Sequence, residues 1–425
     1  MSASNPGPLQ SHLPQRSNSS FSALRHRDFR LLWMGQIVSV TGSQMQLVAI
    51  NWHVYLLTKS PLALGMVGLF RGAPIILCSL LGGVVADAVD RKRLMIATQT
   101  VMLLSAAALT LVTLAGLRSV WPIYLLTGIA SGATAFDIPA RQALMPTLVP
   151  AKDFPNAVSL GLIVFNVAMI AGPAVAGLLL ASHGPAVVYG TNAVSFLAVI
   201  AALTAMHTSG RPSDKSEPAN RVSYAALKEG LAFVWRTPII VQTMTLDFAA
   251  TFFASATALL PIFAEEILHV GARGLGLLAA APAVGSVTTA LIIARIGGPR
   301  KQGGLVIGSI AIFGLATVAF GVSRAFWFSL TMLGITGAAD TVSTVLRQTI
   351  RQLATPNQLR GRMTSINMVF FMGGPQLGEV EAGFVAALIG APLSVVVGGV
   401  GSLLAAAIAA VKGKSLLNYE SEQQP

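Results

Sequence analysis

The sequence predicts an all-α membrane protein of twelve transmembrane helices, arranged as two six-helix pseudo-repeats. Three observations carry this. First, 54% of the 425 residues are hydrophobic and 10% charged, with a mean hydropathy of +0.70. A soluble domain is roughly 25% charged. Second, the apolar residues fall into twelve runs, each long enough for the ~20 residues that a helical crossing of the bilayer needs. Third, the sequence repeats itself at a fixed offset of 206 residues.

The apolar runs cover about 31–57, 62–86, 94–116, 121–142, 156–180, 185–206, 238–263, 274–297, 304–322, 326–348, 363–389 and 391–411. Backbone groups in hydrocarbon must be bonded within their own segment or within a closed barrel. Runs of this length therefore read as helices, because barrel strands are shorter and alternate. Residues 1–28 form a polar tail rich in Ser, Pro and Arg, without the apolar core of a signal peptide. The spans at 29–207 make a first bundle, 208–236 a polar middle loop, 237–412 a second bundle, and 413–425 a closing polar tail. Within the middle loop, Leu227, Leu231 and Val234 recur at helical spacing opposite Lys228 and Glu229. That pattern suits a helix lying on the membrane surface or one packed on the bundle.

The net charge of +12 excludes ordinary neutrality, yet it does not point to nucleic acid, because long apolar stretches separate the basic residues. Their placement encodes topology. With the amino terminus inside, 23 Lys and Arg fall on the inner side and only Lys59, Arg118, Arg273 and Arg324 on the outer side, with Arg71 inside a span. The positive-inside rule then puts both termini in the cytoplasm. The single cysteine, Cys78, leaves no disulfide framework, and no His pair has metal-ligand spacing, so no cofactor or metal is expected. A phosphate-binding loop, a nucleophile elbow and a zinc-protease motif are also missing, which predicts a protein that is not an enzyme and uses no nucleotide.

The offset of 206 lays Arg118 on Arg324, Trp121 on Trp327, Gly128 on Gly334, Arg141 on Arg347, Gln142 on Gln348 and Pro150 on Pro356. An offset of 202 superposes Gly172-Pro173 on Gly374-Pro375 in the fifth and eleventh spans. Glycine permits close helix approach and proline removes a helical bond, so these four residues read as helix-packing hinges. Two parallel six-helix halves around a central pathway follow.

A charge near the bilayer centre costs at least ~2.5 kcal/mol on insertion scales, so each one is a functional candidate. Arg71, midway along the second span, is read as a substrate or proton-coupling residue, with a structural ion pair as the alternative. Asp340 in the tenth span and Asp247 in the seventh are candidate protonatable acids, or helix-to-helix hydrogen-bonding groups. Glu379 and Glu381 lie two positions apart and point ~200° from each other on a helix. Glu379 is the candidate for the pathway, because it follows the GGPQLG break. Glu265 and Glu266 read as solvated rim residues; Asn51, Trp52 and Tyr55 read as pathway lining or as an aromatic belt. On the cytoplasmic side, Gly83, Asp87, Arg91, Asp137, Arg141 and Arg347 are expected to form a gate, Asp137 and Arg141 being helical neighbours and Asp87 and Arg91 repeating that spacing. A plain boundary anchor is the alternative.

With twelve spans, a polar middle loop and a parallel repeat, the loop GGVVADAVDRKR at 82–93 completes a resemblance to the major facilitator superfamily. It has that superfamily's glycine, an aspartate four residues later and a basic cluster, with Ala88 and Asp90 standing where the superfamily has a basic residue and a glycine. IAGPAVAG in the fifth span is similar to the glycine-proline signature of its antiporters, whereas the arginine that many proton antiporters carry in the fourth span has no counterpart. Within the superfamily the chain is most similar to the enterobactin exporter family, through HRDFRLLWMGQ, GLFRGAP, LDFAATFFASATALLPIFAEEI, GAADTVSTVLRQTIRQLATPNQLRGR and LGEVEAG, over about residues 21–411. The resemblance implies a monomeric secondary exporter in a bacterial inner membrane, its partners a siderophore or similar amphiphilic small molecule, protons and the lipid bilayer. Multidrug efflux is the alternative, and a non-transporting receptor on the same fold a more distant one.

Overall fold

The computed structural model describes residues 21–211, 231–253, 256–296, 302–356 and 359–417. Their long elements are helices α1 Arg27–Thr58, α2 Pro61–Ala88, α3 Arg91–Leu114, α4 Trp121–Leu148, α5 Phe154–His183 and α6 Pro185–Ala205. Across the middle loop follow α7 Pro238–Phe253, α8 Gly271–Ile296, α9 Gln302–Val322, α10 Phe326–Leu353, α11 Arg360–Ile389 and α12 Ala391–Lys412. Beyond α7, its course continues as a 3₁₀ turn Ala256–Leu259, an α turn Leu260–Ile262 and a π turn Phe263–Ile267.

Local chemistry marks the helix ends. The Ser60 and Asp90 side chains accept the Ala63 and Arg93 N–H groups and cap α2 and α3, and Pro61 and Pro185 occupy first-turn positions where no donor is needed. Gly184 and Gly390 turn the chain between helices at φ +76° and +88°, which a side chain would resist. Among the described residues, nine helices are long and apolar enough to cross a membrane. The long helices outside those nine are α1, α10 and α11. All three carry more polar residues; α10 buries Ser343, Arg347 and Arg351 on one face, the reverse of a soluble amphipathic helix.

Helix pairing repeats between the halves. In the first, α1 packs on α5 and α6, α4 on α2 and α3, and α3 on α6. In the second, α7 packs on α11 and α12, α10 on α8 and α9, and α9 on α12. The halves meet through α2 with α11 and α5 with α8, two contacts that exchange under the same pseudo-twofold.

That seam is confined to one end. Among the described residues, the end at which α1 begins and α12 finishes is here the terminal end; the other is the far end. One apolar core spans both halves at the far end and includes Tyr55, Leu64, Leu180, Phe263, Leu275 and Ala382. Toward the terminal end the described residues form separate cores in each half instead. One, with Phe29, Met95, Leu144 and Leu203, belongs to the first half, and another, with Leu246, Ile307, Leu346 and Ile350, to the second. The halves therefore share an apolar core at the far end and keep their own cores toward the terminal end.

Glycines set the seal. A Cβ on Gly65 would lie 3.0 Å from the Gly383 Cα, and one on Gly177 2.9 Å from the Gly276 Cα. Such distances require backbones in direct contact, the small-residue packing that membrane helices use in place of a hydrophobic driving force. The middle-loop segment foreseen at 224–236 lies partly outside the described residues. Its described end, 231–236, is helical, and Val234 is buried beside Ile240, Met244 and Met363. Leu231 and Trp235 on the same segment are exposed.

Candidate functional site

Charged residues at membrane depth assemble into two groups. On the seam, α2 carries Arg71 and α11 carries Glu379, and Arg71 Nη1 stands 3.6 Å from Glu379 Oε1. Gly68, one turn before Arg71, makes room: a Cβ there would lie 2.7 Å from both the Glu379 Cβ and Oε2. Gly72 does the same for Gln376, whose Oε1 is buried and unpartnered. A pair of opposite charges from different halves thus sits on the terminal side of the Gly65–Gly383 contact.

The second group belongs to the C-terminal half. Arg347 on α10 is 1% exposed, and its Nη2 lies 2.8 Å from Asp247 Oδ1 on α7 and 3.9 Å from Asp340 Oδ1. Arg351, a turn further along α10, approaches the other Asp247 oxygen at 3.5 Å. Asp247 therefore has two cationic partners. Asp340 has one at longer range, and its side chain is 48% exposed. Arg347 also donates to Thr344, and its Nε and Nη1 are buried without partners among the described residues. Sequence reading placed Arg347 in a gate and Asp247 and Asp340 in a pathway; the structure brings the three together and adds Arg351. The only signal for Arg351 was its i, i+4 spacing from Arg347.

In the first half the equivalent turn of α4 holds Asp137 and Arg141, whose charged groups are 3.8 Å apart. Asp137 is buried and accepts from the Thr98 hydroxyl and the Gln99 amide on α3, and Arg141 donates to Gln36 on α1. Arg91 donates to the Ala143 carbonyl on α4, and Lys92 donates to the Met206 carbonyl at the end of α6. Both cations meet carbonyls near helix carboxyl ends, where the helix dipole favours positive charge. Asp87 lies in the last turn of α2, and its side chain is outside the described residues. A Cβ on Gly83 would meet nothing, so the close approach to α4 is made by its neighbour Gly82, packed on the Ala135 backbone.

The four breaker residues lie inside continuous helices. Gly172 on α5 packs on Gln44 and Thr41 of α1, and Gly374 on α11 packs on Thr251 of α7. Each therefore seats its helix against the first helix of its own half. Pro173, beside Gly172, brings its carbonyl to Gly276 on α8, and Pro375 follows Gly374. Trp52 and Tyr55 are buried in the far-end core, 7% and 0% exposed. Sequence reasoning missed the partner of Tyr55: its hydroxyl donates to Glu266 Oε1 at 2.7 Å across the seam.

Comparison with known proteins agrees with this architecture. The family model described as "Transmembrane secretion effector" matches residues 18–424. The enterobactin exporter EntS of Salmonella choleraesuis strain SC-B67 is 24% identical over 381 residues, 89% of this chain and 90% of its own. EntS of Shigella boydii serotype 18 is similar to the same extent, 24% over 381 residues. Among solved structures, a bacterial homologue of the human lysosomal transporter Spinster, in an inward-facing and unoccupied conformation, matches with a TM-score of 0.73 at 14% identity, covering 93% of this chain and 99% of that one. A bacterial homologue of the iron transporter ferroportin in an inward-facing state gives 0.66 at 15% identity over 92% and 99%. The chain is a multi-pass membrane protein that belongs to the transmembrane secretion effector family, within the major facilitator superfamily of transporters.

Proposed function

We propose that this chain is a secondary active exporter of the bacterial cytoplasmic membrane, carrying a siderophore or similar amphiphilic molecule outward in exchange for protons. The excess of Lys and Arg on the terminal end supports a cytoplasmic location for that end, so a shared core at the far end and separate cores toward the terminal end suit an inward-open carrier. The resemblance to enterobactin exporters supports both export and the cargo class.

The observation that carries the coupling is the placement of Arg71 and Glu379 on opposite sides of the seam, 3.6 Å apart. With the far end closed, Glu379 is paired with Arg71. Opening the far end separates α2 from α11 and strips the carboxylate of its partner at membrane depth, where an unpaired charge costs several kcal/mol. Glu379 then takes a proton from outside; closure returns Arg71 and expels the proton into the inward-open cavity. Asp340, half-exposed and one loose contact from Arg347, is the second acid within reach, whereas Asp247 is held between two arginines.

The test is transport in proteoliposomes of purified protein with labelled enterobactin and an imposed proton gradient. Wild type accumulates cargo against its gradient; Glu379→Gln loses gradient-driven accumulation and retains cargo exchange at zero gradient. Undiminished uphill transport by Glu379→Gln refutes the coupling role, and absence of any enterobactin flux in wild type refutes the cargo class.

A further inference from the structure

The far end holds a device that neither the coupling pair nor the seam glycines use. Tyr55, on the last turn of α1, is fully buried, and its hydroxyl donates at 2.7 Å to Glu266, which sits on the π turn after α7. This is a hydrogen bond between the halves, with a charged acceptor. On the other side of the ring, the Lys59 ammonium lies 4.1 Å from the ring centroid. Lys59 closes α1 in the left-handed region at φ +51°, which holds its side chain back over Tyr55.

The segment bearing Glu266 has unusual geometry. Between residues 256 and 267 the chain passes from a 3₁₀ turn through three residues of α-helix to a π turn. Pro261 within it lacks a backbone donor, and the Leu268 N–H reaches back five residues to the Phe263 carbonyl. Short 3₁₀ and π segments inside a helix replace the regular ladder with bonds that exchange easily, and they mark hinges. Phe263, stacked on Phe320 of α9 with ring centroids 4.5 Å apart, ties this segment to its own half. Tyr55 ties it to the other. At the exit, His269 adopts φ +52° and its Nδ1 meets the Glu265 carbonyl, which fixes the end of the flap.

We propose that the Tyr55–Glu266 hydrogen bond, steadied by Lys59 over the Tyr55 ring, is the latch that keeps the far end shut, with residues 256–267 as the flap it holds. The proposal rests on the alternating-access reading above. Breaking the latch shifts the resting population toward the far-open state without touching cargo or proton groups.

The test uses intact cells expressing the full chain with Cys78→Ser and a reporter Ala382→Cys, a buried position of the shared far-end core. Its rate of labelling by a membrane-impermeant maleimide reports far-end opening. Tyr55→Phe and Glu266→Gln are each expected to raise that rate about ten-fold, the scale of one hydrogen bond to a charged acceptor. If Tyr55→Phe fails to reach the membrane, Glu266→Gln reads the same bond from its exposed partner. Unchanged rates in these variants, while Gly276→Leu raises the rate, overturn the latch and leave alternating access standing. A reporter that stays unlabelled in every variant, Gly276→Leu included, overturns both.

Discussion

Arg141 and Arg347 occupy equivalent turns of α4 and α10, 206 residues apart, yet one is partly exposed and the other is sealed at 1% exposure. Arg141 meets the Gln36 amide on the first helix of its half, where Arg347 meets the Asp247 carboxyl. The repeat preserved the arginine and changed its partner.

This difference predicts unequal costs. Arg347→Ala removes the nearer cation from buried Asp247 and should destabilise the protein by about 3 kcal/mol, the lower end for a broken buried pair, because Arg351 remains 3.5 Å away. Arg141→Ala should cost less than about 1 kcal/mol, since its side chain is 27% exposed and Asp137 keeps the Thr98 and Gln99 donors. Thermal unfolding of both variants in detergent checks the ranking; equal shifts would contradict it.

Gly68→Val should separate Arg71 from Glu379. The added Cβ alone would lie 2.7 Å from the Glu379 side chain, so α2 and α11 must part. Uphill transport is expected to fall at least ten-fold, with normal amounts of protein in the membrane.

Gly276→Leu acts on the other seam contact. Its Cβ would press on the Pro173 carbonyl and on Gly177, both backbone and unable to rotate away. The expected outcome is a protein held far-open: a cysteine in the far-end core becomes accessible from outside and transport stops, while the fold within each half survives. Circular dichroism and maleimide labelling separate that result from unfolding.

Asp90→Ala should cost about 1 kcal/mol through the lost cap of α3. Lys92→Met should cost about 0.5 kcal/mol, because it removes a cation from the carboxyl end of α6. Neither change alters the Arg71–Glu379 pair, so proton-driven transport per molecule should stay within about two-fold of wild type, measured in the same vesicles.

The sequence by itself determined the helical fold, the membrane spans and the parallel repeat. Lipid forces each crossing to satisfy its own backbone, so run length and hydropathy are local quantities that a linear pattern states outright. The charges within the spans, Arg71, Asp247, Asp340 and Glu379, also stood out as candidates from sequence, because lipid tolerates few charges. Partners were decided only in three dimensions. Glu266 reads as a solvated rim residue until α1 is laid beside α7, 211 residues away in sequence from the tyrosine whose hydroxyl it accepts. Asp247, Asp340 and Arg347 read as separate functions until helix packing converges them, and Gly83 reads as the motif glycine although Gly82 meets α4. Pairing depends on how helices rotate and cross, which small residues such as Gly68, Gly177 and Gly276 set through backbone contact; hydropathy, summed along one helix at a time, carries no record of it.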